Sequence, residues 1–230
     1  MNLDLLERAA EVLGKLADDA VFVGGATLDL FVTESGATSF RPTMDVDVVI
    51  SAVTRGEYER FAEQLRAREI YEDSSSTVIC RFKHSASGLL IDVMGRDASI
   101  FGFSNPWYDD VLATATPHEL PSGRVLHVTS APALIATKLA AFADRGASFP
   151  LASHDLEDLV RVFDTRPELV DELRDARPEL RAWVAGRLSA MVDDRLLLDA
   201  IRGQVRPDAA SQRRLDEVVI PRLRAAADLT

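Results

Sequence analysis

Three carboxylates and a glycine pair are the residues in this 230-residue chain whose types and spacing suit chemistry. Asp45 and Asp47 lie two apart in Arg41-Pro42-Thr43-Met44-Asp45-Val46-Asp47-Val48-Val49-Ile50. If this stretch is a strand, alternation sends both carboxylates to one side and Val46 and Val48 to the other. Like charges that close repel unless a cation lies between them, and a divalent metal is the obvious candidate. Asp92 sits inside Leu89-Leu90-Ile91-Asp92-Val93-Met94, where a carboxylate is costly without a partner. Three carboxylates on neighbouring strand ends would make a site for two Mg2+ ions. Such a site can activate a hydroxyl, bridge a triphosphate and stabilise the leaving pyrophosphate. Upstream, Val21-Phe22-Val23-Gly24-Gly25 predicts a buried strand ending in glycines that open a helix, a place where backbone N–H groups can meet phosphate.

Each feature also has a plain structural explanation. A strand-to-helix turn often needs glycine for steric reasons alone. Asp45 could be a turn residue at the start of its strand, and Asp47 and Asp92 could form salt bridges to Arg41, Arg81 or Lys83. It is the combination that favours the metal site. The glycines fit neither the dinucleotide fingerprint, since Gly-x-Gly-x-x-Gly is absent, nor a Walker loop, since no Lys-Ser or Lys-Thr follows them.

The elements that must position these groups follow from hydrophobic spacing. Leu3, Leu6, Ala9, Ala10, Leu13 and Leu16 recur at helical intervals, which predicts an opening helix over residues 3–17. Ala20–Val23 is a strand, Ala26–Val32 a helix, Glu34–Thr43 a loop and Val46–Ile50 a second strand. Thr54 caps a helix that runs to Ala67. After a short strand at Ile70–Tyr71, Val78–Lys83 and Leu89–Met94 form a hairpin about His84–Gly88. Asp97–Asp110 is an aromatic-containing loop and Arg124–Val128 a last strand. Pro132–Arg145 is an apolar helix interrupted by Lys138, and Ser153 caps a helix from His154 to Phe163. From there the chain looks helical to its end, with Pro167, Pro178, Pro207 and Pro221 suiting first turns or breaks. Mixed strand and helix give way to helix alone near residue 129.

Composition narrows the class. A chain of this length that is 47% hydrophobic can build a real core. No apolar run is long enough to span a bilayer, so no membrane partner is expected. Met1-Asn2-Leu3-Asp4 lacks a basic region followed by an apolar one, so no signal peptide is expected. Cys80 is the single cysteine, which excludes an internal disulfide and fits a cytoplasmic setting. A net charge of −11 argues against a general nucleic-acid coat. His84, His118 and His127 show no metal-ligand spacing.

Taken together, Gly24-Gly25, Arg41-x-Thr43-x-Asp45-x-Asp47 and a strand-borne Asp92 resemble the DNA polymerase β-like nucleotidyltransferase superfamily. The resemblance is closest to its AbiEii-type branch, which includes the MenT toxins. Lys138-Leu139-Ala140-Ala141-Phe142-x-x-Arg145 and His154-Asp155-Leu156-Glu157-Asp158-Leu159 are similar to that branch's lysine helix and its Arg-Asp-x-x-Asp segment, with His154 where arginine is usual. The likeness covers roughly residues 20–165. It implies an α/β fold, a mixed small sheet flanked by helices, as a nucleotidyltransferase core over residues 1–128. A helical domain over residues 129–230 would carry Lys138 and Asp155.

The resemblance also implies an activity: a Mg2+-dependent transfer of a nucleoside monophosphate from a nucleoside triphosphate, such as ATP, to an acceptor hydroxyl. In some relatives the acceptor is a tRNA 3′ end and the enzyme is the toxin of a toxin–antitoxin pair with an antitoxin protein as partner. Asp45 and Asp47 would bind two Mg2+ ions. Asp92 would bind one and act as base or orienting group. Gly24 and Gly25 would hold the triphosphate through the backbone, with Arg41 and Thr43 near the nucleotide. Lys138 would contact phosphate oxygens, and Asp155 would support Lys138 or the nucleotide. Three alternatives compete. The acceptor could be a small molecule such as an aminoglycoside, or a protein hydroxyl, or the chain could be an inactive nucleotide-binding module. Trp107 and Tyr108 could stack on a base or anchor their loop. Asp158 is expected to pair with a neighbouring arginine.

Overall fold

The computed structural model describes residues 2–34, 41–102 and 104–229. Residues 35–40 of the expected 34–43 loop, and residue 103 of the expected 97–110 loop, lie outside them. The chain divides into two compact units, one of Met1–Asp29 with Arg41–Ser130 and the other of Leu30–Phe40 with Ala131–Thr230.

The first unit is α/β, built on a seven-stranded mixed sheet in the order β3-β4-β5-β2-β1-β7-β6. The strands are β1 (Ala20–Val23), β2 (Asp45–Ile50), β3 (Ile70–Glu72), β4 (Arg81–His84), β5 (Leu90–Gly95), β6 (Thr116–Glu119) and β7 (Val125–Val128). β1 runs antiparallel to β2 and parallel to β7, while β2 runs parallel to β5. β1 is buried along its whole length, which is why its sequence, Ala-Val-Phe-Val, is continuously apolar. In β2 the alternation is visible, with Val46 and Val48 fully buried and Asp45 and Asp47 half-buried. α1 (Asn2–Leu13) buries Leu6, Ala9, Ala10 and Leu13, and contacts β2. α2 (Arg55–Arg66) starts at a complete capping box. Thr54 Oγ1 accepts the Glu57 N–H at 3.2 Å, and Glu57 Oε2 accepts the Thr54 N–H at 3.0 Å.

Four expectations for the chain up to Val128 need correction. The opening helix stops at Leu13, and Gly14–Asp19 continues as 3-10 turns. Gly25–Phe31 is also a 3-10 helix where an α-helix was expected. Thr27 donates both its N–H (3.3 Å) and its hydroxyl (2.9 Å) to the Gly24 carbonyl, which tightens the first turn. The hairpin strand starts at Arg81, not Val78. The region read as loop then strand holds two further elements, α3 (Tyr108–Ala113) and the edge strand β6. β6 carries Pro117, a residue that edge strands tolerate.

The second unit is helical. It holds α4 (Ala131–Ala141), α5 (His154–Thr165), α6 (Leu169–Asp175), α7 (Pro178–Asp193), α8 (Arg195–Gly203), α9 (Ala209–Arg214) and α10 (Ile220–Ala227). α4 buries Leu134, Ile135, Ala136 and Leu139 against α5, α6 and α7. The expected single helix to Arg145 gives way after Ala141 to a π turn, Phe142–Gly146. No helix among the described residues is long and apolar enough to cross a membrane.

Candidate active site

Strand pairing brings the sequence-distant carboxylates together. Asp47 of β2 is in register with Asp92 of the parallel strand β5, and Asp92 is in register with Arg81 of the antiparallel strand β4. Residues in register share a face, and Asp45 lies two positions from Asp47. Asp45, Asp47, Asp92 and Arg81 therefore project from one face of the sheet. Asp92 is the most enclosed of the carboxylates, at 6% exposure.

The Arg81 guanidinium is the local counter-cation. Its Nε donates to Asp92 Oδ1 and its Nη2 to Asp92 Oδ2, each at 2.7 Å, a two-point fork. The same Nη2 also pairs with Asp45 Oδ2. Hydrogen bonding to Asp92 pushes the Arg81 pKa up; burial opposes it, and the charges of Asp92, Asp45 and Asp47 reinforce it. The salt-bridge alternative for Asp92 is thus realised, with Arg81 as partner. Asp45 Oδ1 accepts the Thr43 hydroxyl at 2.9 Å. Among the described residues, no three His, Cys, Asp or Glu side chains stand so that they could hold a metal ion. Arg81 engages Asp92 and Asp45 instead.

Gly24 and Gly25 take different parts. The antiparallel pairing sets Val23, the last residue of β1, opposite Asp47, so Gly24 follows directly beside it. Gly24 has φ of +73°, and a Cβ built there would lie 2.7 Å from Asp47 Cγ and closer still to Oδ2. Both the backbone and the neighbour therefore demand glycine. At Gly25 a Cβ would meet the Thr43 side chain at an ordinary 3.5 Å. The Arg41–Thr43 segment is held by Asn2, a buried residue that no motif or spacing marks out. Its side-chain amide donates to the Arg41 carbonyl at 3.4 Å and accepts the Thr43 N–H at 3.3 Å. Cys80 is buried within electrostatic reach of Asp92 and Asp47. Burial, then Asp92 and Asp47, push its thiol up to about 12.

In the second unit, Lys138 on α4 faces two carboxylates of α5. Its Nζ lies 3.2 Å from Asp155 Oδ1 and 2.7 Å from Asp158 Oδ2. Asp158 therefore pairs with Lys138, a partner that the sequence reading did not name for it. Its position three residues after Asp155 turns both carboxylates to one side of α5. Arg145, carried on the π turn, donates to Asp155 through Nε at 2.9 Å and Nη2 at 3.2 Å. Asp155 is 4% exposed and Asp158 1% exposed. Ser153 caps α5, accepting the Leu156 N–H at 3.3 Å, so Asp155 also sits in a first turn that favours negative charge. Trp107 is buried, as the anchoring alternative requires.

Asp155 has a consequence for acid stability. Burial pushes its carboxyl up, but the Lys138 charge and the Arg145 hydrogen bonds outweigh burial and leave it below its ordinary 3.8. A carboxyl whose folded pKa is depressed stabilises the fold fully above its unfolded value, and that contribution disappears as pH falls through the folded value. Thermal unfolding midpoints should therefore drop below pH 3.8. In Asp155→Asn the midpoint should start lower at neutral pH and fall less steeply in acid. Parallel pH profiles would count against this account.

A family model described as "Nucleotidyl transferase AbiEii toxin, Type IV TA system" matches residues 4–228. No curated protein matches the sequence.

Proposed function

The chain belongs to the nucleotidyl transferase AbiEii toxin family of type IV toxin–antitoxin systems, and on that premise we propose that it moves a nucleoside monophosphate from a nucleoside triphosphate to a tRNA 3′ hydroxyl at the Asp45–Asp47–Asp92 face. The observation that carries this reading is the register of Asp47 with Asp92, which places hard oxygen donors from two parallel strands on one face. Carboxylate oxygens are the donor type that Mg2+ takes, and the Arg81 guanidinium now engaging Asp45 and Asp92 is a cation in the place where one is needed. Asp45 and Asp47 would hold two ions and Asp92 one of them. Bound there, Mg2+ would supply positive charge to the polyphosphate and acidify the attacking hydroxyl.

The chain's own groups do the rest. Gly24 and Gly25 offer backbone beside the carboxylates for a triphosphate, and Arg41 and Thr43, braced by Asn2, border the same segment. The acceptor oxygen forms a bond to the α-phosphorus as the bond to the bridging oxygen breaks and pyrophosphate leaves. The hydroxyl proton passes to Asp92 or, through it, to solvent. Lys138 is assigned a phosphate contact by the family resemblance. The first unit is the catalytic core in this proposal, and the second carries Lys138 and Asp155. Family membership implies a nucleotide substrate and an antitoxin partner; a cytoplasmic site of action completes the proposal.

The test is label transfer. Each of the four α-labelled nucleoside triphosphates is incubated with protein, Mg2+ and total RNA. Label on RNA of tRNA length is the expected result. Label on a small molecule or on protein would move the acceptor class to one of the alternatives. No label with any nucleotide, together with no Mg2+-dependent thermal stabilisation by any of them, would leave an inactive module.

A further inference from the structure

We propose that Arg81 is the resident counter-cation of this carboxylate face, that it must release Asp45 and Asp92 before a divalent cation can load, and that it thereby sets the metal affinity of the site. The inference rests on the metal reading above. The Arg81 fork occupies both oxygens of Asp92 at 2.7 Å, and the same terminal nitrogen holds Asp45 Oδ2. A cation approaching Asp92 therefore has to break at least one charge-assisted hydrogen bond and displace a positive group. The two cations compete for the same oxygens.

The fold supports such an exchange. Arg81 is the first residue of β4 and only partly buried, at 18% side-chain exposure. Its backbone is pinned by pairing with β5, while its long side chain can swing without moving the strand. The arrangement also explains how three carboxylates coexist on one face when no metal is bound. Arg81 neutralises part of a cluster whose members would otherwise repel one another. An arginine suits this role better than a lysine, because its planar fork holds Asp92 in a fixed orientation.

The experiment measures Mn2+ binding alone, followed by the free-ion paramagnetic resonance signal, for wild type, Arg81→Gln, Arg81→Lys and Asp47→Ala. Arg81→Gln should bind Mn2+ about tenfold more tightly than wild type, since the competing cation is gone. Its metal-free melting temperature should be lower than that of wild type, and the rise on adding Mn2+ larger. Arg81→Lys keeps the charge but loses the fork, so its affinity should fall between the two. Should the glutamine variant fail to fold, the lysine variant alone decides. Binding equal to or weaker than wild type in the arginine variants overturns the proposal, because Arg81 would then only support the carboxylates. The metal reading fails separately, and the proposal with it, if Asp47→Ala binds Mn2+ as wild type does, or if neither wild type nor the arginine variants bind it.

Discussion

Asp47→Ala should abolish nucleotide transfer, by about a thousandfold or more, in a protein that still folds. Asp47 is the carboxylate that β2 presents in register with Asp92 and that lies against Gly24. In the proposed reaction it serves both ions, so its loss removes charge from the centre of the site. A thousandfold loss corresponds to about 4 kcal/mol of transition-state stabilisation, within what charge neutralisation at a phosphoryl centre supplies. The fold should tolerate the change better than a change at Asp92. Truncating Asp92 strands the Arg81 fork, whereas truncating Asp47 leaves Arg81 on Asp92 and Asp45 and thins a cluster of like charges. The measurements are single-turnover label transfer and thermal unfolding on one preparation. Transfer within tenfold of wild type would remove the metal role from Asp47. A large fall in melting temperature would mean that lost activity reports lost structure.

What the sequence conveyed, and what it withheld, follows from which signals are local. Ala20–Val23 and Asp45–Ile50 were readable because an apolar run and a strict alternation are local patterns. Thr54 and Ser153 were readable as caps for the same reason. β6, Thr-Pro-His-Glu, has no apolar alternation because it is an exposed edge paired on one side only, and α3 follows Trp107, an N-cap residue that makes no side-chain cap hydrogen bond. Arg41, Arg81 and Lys83 were all candidate partners for Asp92, and only the β4–β5 register singles out Arg81. Asn2 is separated from Thr43 by 41 residues, and nothing in its neighbours signals the contact. The choice of Lys138 by Asp158 likewise depends on how α4 packs on α5, which no spacing within either helix reveals. Pairings made across elements decided the site, and single-sequence patterns do not encode them.

Gly24→Ala should destabilise the fold and remove transfer together, and Asp47→Ala should restore part of the stability. Two separate penalties meet at Gly24. Its φ of +73° is a left-handed conformation that costs an L-residue about 1–2 kcal/mol. The added methyl would also intrude on the Asp47 carboxylate, an overpacking penalty of about 1–3 kcal/mol. Removing the Asp47 carboxylate relieves most of the second penalty, since only the residue-47 Cβ at 3.0 Å remains in the way, and leaves the first. The double variant should therefore be more stable than the sum of the single changes predicts, by about 1–3 kcal/mol, in a denaturant-melt mutant cycle. Gly25→Ala is the internal control. Its nearest neighbour would be Thr43 at 3.5 Å and its backbone is not left-handed, so it should cost far less. Equal losses at the two glycines, or a strictly additive cycle, would mean that Gly24 is needed for its turn alone. Positive coupling would tie the diglycine bend to the orientation of Asp47. Transfer should then fail in Gly24→Ala even at temperatures where the protein is fully folded, because the carboxylate has been pushed from its place.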